Sequence, residues 1–309
     1  MSNIAKTKHR LRDLTLAVDW ATLGLFIACI GAWAGGVMFV AAWSGLAGVI
    51  VVALALVLHS SLSHEVLHGH PFAAQRASAA LVIVSPGLFI PYLRFRDTHL
   101  AHHHDARLTD PYDDPESNYL DPRVWSGLPP LVRVVLRINN TLAGRILVGP
   151  ALSWGVFAYQ DARAIWAGDT AVRRAWGAHV PGVALVLGCV WAAAMPVGLY
   201  LLACYAALSI LKIRTFLEHQ AHVKLRGRTA IIEDRGLLAF LFLNNNLHAV
   251  HHMHPTVPWY RLPALYRANR ARYLACNDGY VYRSYGQVFA CFLFRAKDPV
   301  PHPLWAGDP

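Results

Sequence analysis

Histidine recurs in this chain at spacings that suit metal ligation. His64 and His68 enclose Glu65, Val66 and Leu67 in an HxxxH pair; His99, His102 and His103 spell HxxHH, and His248, His251 and His252 repeat it in NNNLHAVHHMHP. On a helix, residues three and four apart share a face, so each cluster can turn its imidazoles to one side. With 17 histidines in 309 residues, one HxxHH arises by chance in roughly one such sequence in twenty, and two in roughly one in a thousand. Coincidence is a poor account of the pattern. A fourth cluster, EHQAH, adds His219 and His222.

Neutral imidazole suits iron, copper, nickel and zinc without choosing among them. Number narrows the choice. Eight histidines from the three boxes plus His219 make nine, too many for one tetrahedral zinc and suited to two iron ions of five or six coordination. His222 is the substitute for His219. A ligating imidazole donates its other N–H to a carboxylate or carbonyl, and Glu65, Asp97, Asp105, Glu218 and Asn246 stand close enough in sequence to serve. The acidic run Asp110 to Glu116 fits that role or an ordinary capped loop equally well. His59, His70, His104 and His254 break the box spacing and read as neighbours or exposed groups; His9, His179 and His302 take no role. Trp259 and Tyr260 read as packing or interfacial anchors.

The elements that must position these boxes are apolar. The chain is 55% hydrophobic and 15% charged, with a mean hydropathy of +0.34, where soluble domains carry about a quarter charged residues. Stretches near the ~20 residues that cross a bilayer run from about Trp20 to Met38 and from Phe39 to Leu58, with Gly35 and Gly36 supplying the turn. A second pair runs from about His179 to Ala194 and Val197 to Leu211. Four lysines and arginines precede the first span, eleven lie between the second and third, and thirteen follow the fourth, which is all 28. By the positive-inside rule the segments 1–19, 59–178 and 212–309 are then cytoplasmic, and every box lies on that side. The predicted fold is an all-α integral membrane domain over 1–309: four transmembrane helices in two hairpins, interfacial helices including one near Ile146 to Phe157, and a cytoplasmic helical cap. The basic start, Lys6, Lys8, Arg10 and Arg12, is read as the head of a retained anchor. The net charge of +10 lacks the basic, aromatic-interleaved groove of a nucleic-acid binder, and five cysteines without CxxC spacing frame neither a disulfide scaffold nor a zinc ribbon.

Three histidine boxes set between two pairs of spans resemble the membrane fatty acid desaturase and hydroxylase superfamily. The likeness covers about 55 to 265 and rests on HEVLHGHP, THLAHHHDARLTDPYDDPES, RTFLEHQAH and NNNLHAVHHMHPTVPWY; the EH phrase is also similar to one in membrane alkane hydroxylases. The resemblance implies a non-haem di-iron centre that activates dioxygen and takes hydrogen from an unactivated C–H bond, a second abstraction giving an alkene and return of oxygen an alcohol. It implies ligand roles for His64, His68, His99, His102, His103, His248, His251 and His252, with His219 as the ninth. In acyl-CoA desaturases an asparagine near the metal stands four residues before that ninth histidine; here the position is Thr215. A fatty acyl chain in a lipid or thioester is the expected substrate. Without a fused cytochrome b5 phrase or a flavin-binding glycine motif, two electrons must come from a separate carrier, such as an acidic ferredoxin or a cytochrome/reductase. The alanine- and arginine-rich composition suggests a bacterial inner membrane.

Two rivals remain open at this level. His64-Glu65-Val66-Leu67-His68 also spells HExxH, the zinc-protease motif, which leaves both HxxHH boxes unexplained. A metal or haem transporter would place its ionisable residues at mid-membrane, where these spans are nearly empty.

Overall fold

The computed structural model of the chain describes residues 18–104 and 108–305. The N-terminal basic residues and Asp105 lie outside them. The described chain is predominantly helical.

α1 (Trp20–Gly35) starts where Asp19 caps it, accepting from Thr22 N at 3.2 Å and Thr22 Oγ1 at 2.7 Å. It does not turn at Gly35 and Gly36 as expected. It continues through a π-helical stretch, Gly36–Val40, to Trp43, and the chain reverses at Ser44. Gly36 serves packing instead, as does Gly48. A Cβ on Gly36 would sit 2.9 Å from Val52 Cγ2, and one on Gly48 would sit 2.8 Å from Ala41 Cα, so the first helical stretch and α2 (Gly45–Leu67) approach closely where one of the two presents a glycine. Large apolar residues near the turn, Phe39, Trp43, Leu46 and Ile50, face outward, while α2 is buried almost continuously from Val52 to Leu67. α2 therefore runs from an outward-facing apolar turn into the protein interior, and delivers His64 and His68 there.

α3 (Gln75–Val82) and α4 (Tyr92–His104) follow, then the short α5 (Pro122–Gly127), α6 (Pro130–Asn139) and α7 (Leu142–Leu147), and the longer α8 (Gly149–Trp166), α9 (Thr170–Trp191) and α10 (Val197–Thr215). The interfacial helix expected near 146–157 is thus the end of α7 and the start of α8. α10 lies along α2, with Tyr200 joining Trp33 Nε1 at 2.9 Å to the Pro86 carbonyl at 2.6 Å. Among the described residues, three helices are long and apolar enough to cross a membrane: Trp20–Trp43, Gly45–Leu67 and Val197–Thr215. The expected span 179–194 is the end of α9, which begins earlier and carries Arg173, Arg174 and Pro181. Its apolar part, from Val180 to Trp191, extends only about 18 Å, short of a ~30 Å hydrocarbon core.

The remaining chain forms a cap of short pieces: α11 (Leu237–Leu241), α12 (His248–Met253), α13 (Leu262–Ala268), α14 (Arg270–Cys276) and α15 (Tyr285–Phe292). A two-stranded parallel sheet, β1 (Ile231–Ile232) with β2 (Val281–Tyr282), ties it together. Ile232 N donates to Asn246 O at 2.8 Å and Ala249 N to Ala230 O at 3.0 Å, which lashes α12 to β1.

Candidate metal centre

The nine histidines expected as ligands gather into two groups. His64, His68, His99, His103 and His251 form one; His102, His219, His248 and His252 form the other, and within each group one ring nitrogen per residue lies within 4.8 Å of all the rest. Each HxxHH box divides the same way. Its first and last members, four apart, join one group, and its middle member joins the other. Helical phase explains this, since the i+3 position is turned about 100° from i+4. The sequence expectation that all three converge on one side is refined accordingly. His103 and His252, the last members of the two boxes, stack across the boundary with centroids 4.2 Å apart.

The second ring nitrogens are held from outside. His99 Nδ1 lies 2.8 Å from Glu116 Oε1, His102 Nδ1 lies 2.8 Å from Asp114 Oδ1, and His248 Nδ1 lies 3.0 Å from Asn245 Oδ1. Each partner offers an acceptor, so each Nδ1 carries the proton and each Nε2 presents a lone pair inward. These inward nitrogens crowd together. His102 and His248 Nε2 lie 2.9 and 3.1 Å from His219 Nε2, and His252 Nε2 lies 3.1 Å from that of His248. His103 Nε2 lies 3.0 Å from His99 and 3.1 Å from His251, while His64 Nε2 and His68 Nε2 are buried with no hydrogen-bond partner among the described residues. Lone pairs outnumber the protons that could sit between them, which is the donor set a cation relieves.

The spacing fits metal ions of high coordination. Imidazole nitrogens about 2.1 Å from an ion lie about 3.0 Å apart at right angles and about 3.4 Å apart at the tetrahedral angle. Five of the inward contacts fall between 2.9 and 3.1 Å.

Electrostatics agrees. Burial, reinforced by the surrounding imidazoles, holds His219, His248, His251 and His252 well below the usual histidine value, and burial brings His68 down to about 2. They are neutral at pH 7, as ligation requires. His102 differs: burial pulls it down, but the hydrogen bond to Asp114 and the charge of Glu116 prevail and bring it up to about 9, so its Nε2 lone pair is freed only when an arriving cation displaces a proton. Burial acts to raise Glu116, yet the charge and hydrogen bond of His99 hold its carboxyl far below the usual range.

The expected supporting residues fare unevenly. Glu218 is buried, pairs with Arg214 Nε at 3.0 Å, and has Oε1 3.8 Å from His248 Nδ1; burial raises its carboxyl despite that arginine. Glu65 turns away from the convergence, accepting from Trp259 N at 3.1 Å, and its Oε1 is 3.8 Å from His64 Nδ1. Asp97 lies at the surface, 2.7 Å from Arg96, and Asn246 donates to the backbone of Ile232 and Asp234; neither turns to a histidine. Sequence reasoning missed Asn245, which immediately precedes Asn246, three residues before His248. Of the acidic run, Asp114 and Glu116 take the supporting role, while Asp110 caps the loop, accepting from Tyr112 N at 2.8 Å and Asp113 N at 3.0 Å. His222 stands apart from both groups, near Lys224 and Asp278. His302, given no role, is buried against Thr109, whose N–H donates to Asp114 at 2.8 Å.

The family profile described as Fatty acid desaturase matches residues 41–286, most of the chain. The chain belongs to the fatty acid desaturase family. It is therefore an oxidoreductase of that membrane family, with a histidine cluster fit to hold metal. Compared individually, no curated protein matches it.

Proposed function

We propose that the two histidine groups hold two iron ions, and that the chain uses dioxygen and two external electrons to desaturate an aliphatic chain, a fatty acyl group. The observation that carries this reading is the division of nine histidines into groups of five and four whose inward nitrogens stand at right-angle spacing. Bound iron would supply the dioxygen chemistry. The protein's own residues orient the site: Glu116, Asp114 and Asn245 fix three imidazoles in the tautomer that presents Nε2, and burial keeps water from the reacting carbon. An open apolar recess of about 350 Å³ between α1 and α2, lined by Ala28, Cys29, Leu54, Leu58 and Leu241 among others, supports an aliphatic substrate. It lies along the helix that delivers His64, with Leu58 six residues earlier.

The protease alternative is disfavoured by Glu65, which faces Trp259 N rather than the metal position a general base would need. A transport path is disfavoured because the histidines collect at the buried end of α2 and in the cap, not at mid-span. In this reading both termini are cytoplasmic in a bacterial inner membrane, and a separate ferredoxin or cytochrome/reductase delivers the electrons.

Elemental analysis of detergent-purified protein tests the centre. Two irons per chain, lost when His251 and His252 are both changed to alanine, are expected. A single zinc unaffected by that change would sink the reading. Lipids from expressing cells grown under ¹⁸O₂ then separate the chemistries: new double bonds without label mean desaturation, whereas labelled alcohols mean hydroxylation.

A further inference from the structure

His219 belongs to none of the three histidine boxes. The rings of His99, His102 and His248 are steered through Nδ1 by Glu116, Asp114 and Asn245. The Nδ1 of His219 reaches only Thr229 Oγ1 among the described residues, at 3.5 Å, the outer limit of a hydrogen bond. Its ring is therefore placed by the main chain that carries it. One edge of that main chain is held by the antiparallel bridge of His219 with Thr229. There Gln220 N donates to Arg228 O at 2.9 Å and Ala230 N to Glu218 O at 3.0 Å.

The other edge is held by the C-terminal end of the chain. Lys297 Nζ donates to the His219 carbonyl and pairs with Asp298 at 3.1 Å. Asp298 accepts from the Tyr119 hydroxyl, which accepts in turn from Ala221 N at 2.8 Å. Lys297 and Arg228 thus grip opposite sides of the peptide between His219 and Gln220, and Tyr119 holds the next one. The segment that brings Lys297 here is itself pinned, with Leu120 N donating to Val300 O at 3.0 Å, His302 N to Leu120 O at 2.8 Å and Trp305 Nε1 to Asp121 Oδ2 at 3.2 Å. A lysine ordinarily carries its ammonium out to water, yet this side chain is only 10% exposed. An enclosed ion pair adds little net stability. What it supplies here is geometry, because Asp298 fixes the ammonium where another of its three donors meets the carbonyl.

We propose that Lys297 is a positioning residue for His219: with Asp298 and Tyr119 it clamps the main chain that aims the one ligand no box controls. This rests on the two-iron reading above. The test challenges full-length, iron-loaded protein in detergent with a chelator, and follows hydrogen exchange at Ala221 on the same samples. Lys297→Met should release one of the two irons about tenfold faster or more, leave the other at its unmodified rate, and speed exchange at Ala221. Lys297→Arg, which keeps a charged donor, should restore both. Tyr119→Phe removes the acceptor of Ala221 N but keeps the ion pair; it should show the same selective release, and decides the matter if Lys297→Met does not fold. Trp305→Phe, which cuts the pinning bond to Asp121 away from His219, should release both irons at the unmodified rate. Equal acceleration of both irons in Lys297→Met, or the same selective release in Trp305→Phe, would mean that the C-terminal segment only stabilises the fold, and overturns the proposal. Iron missing from the unmodified protein would sink the two-iron reading; exchange at Ala221 unmoved by Lys297→Met would separately sink the clamp.

Discussion

His99, His102 and His103 ride on α4, a 13-residue helix clamped from outside by the bidentate pair of Arg94 with Asp161, at 2.8 and 2.9 Å. His248, His251 and His252 occupy α12, six residues long, which holds its place through backbone bonds to β1 and the segment before it. Both boxes nevertheless divide their histidines between the two groups in the same way, first and last to one, middle to the other. Spacing therefore sets the division, and the surroundings set where each box stands. On α4 that task falls to charged side chains; on α12 it falls largely to the main chain.

The sharpest way to break this contrast is to cut the clamp. Asp161→Ala leaves the Arg94 guanidinium and the Trp176 indole N–H, 2.8 Å from the lost carboxylate, without their shared partner. Breaking a buried pair on one side costs about 3 kcal/mol or more. A clearly lowered unfolding temperature is expected, with iron loss following as α4 loosens. An unchanged unfolding temperature would mean that α4 is held by something else.

Asp114→Ala probes the α4 box more locally. Asp114 accepts from His102 Nδ1 and also from Thr109 N and Glu116 N, at 2.8 and 2.9 Å. Losing such support weakens metal binding about 10–100-fold. Iron should fall toward one per chain, with the four-histidine group emptied first. Equal loss from both groups would show that the acidic loop positions the whole centre rather than one side of it.

Asn245→Ala is the matching change at the α12 box. It removes one acceptor from His248 Nδ1, but Ala249 N and Ile232 N keep their backbone bonds. A loss of iron affinity of no more than about tenfold is expected, smaller than for Asp114→Ala. The reverse order in an iron-chelator titration would overturn the idea that main-chain bonds carry the third box.

How far these roles could be read in the sequence follows from the same physics. The gathering of eight of the nine histidines was legible because i, i+3 and i+4 spacing is a local property of a helix, whereas His219, outside any such spacing, joins its group only through the tertiary fold. The π stretch at Gly36–Val40 was not legible, since Gly36 answers to Val52 on another helix. Asn245 and Asn246 are neighbours in NNN, and the turn that gives the first to His248 and the second to Ile232 and Asp234 follows two residues of positive φ, Leu243 and Asn244, at 50° and 57°. The end of α9 reads as apolar in isolation; Arg173 and Arg174, which precede the expected span, belong to the same helix, and Pro181 falls inside it.

The smallest effect is expected at Asp97, adjacent in sequence to the α4 box and spatially turned from it. Its carboxylate is 42% exposed and pairs with its sequence neighbour Arg96 at 2.7 Å. Surface pairs of this kind contribute little, within about 0.5 kcal/mol here. Asp97→Ala should leave the unfolding temperature nearly unchanged and iron content at the unmodified value. An iron loss approaching that of Asp114→Ala would mean that a carboxylate on α4 itself supports the box, and the contrast between a side-chain-held and a main-chain-held box would have to be redrawn around the helix rather than the loop that follows it.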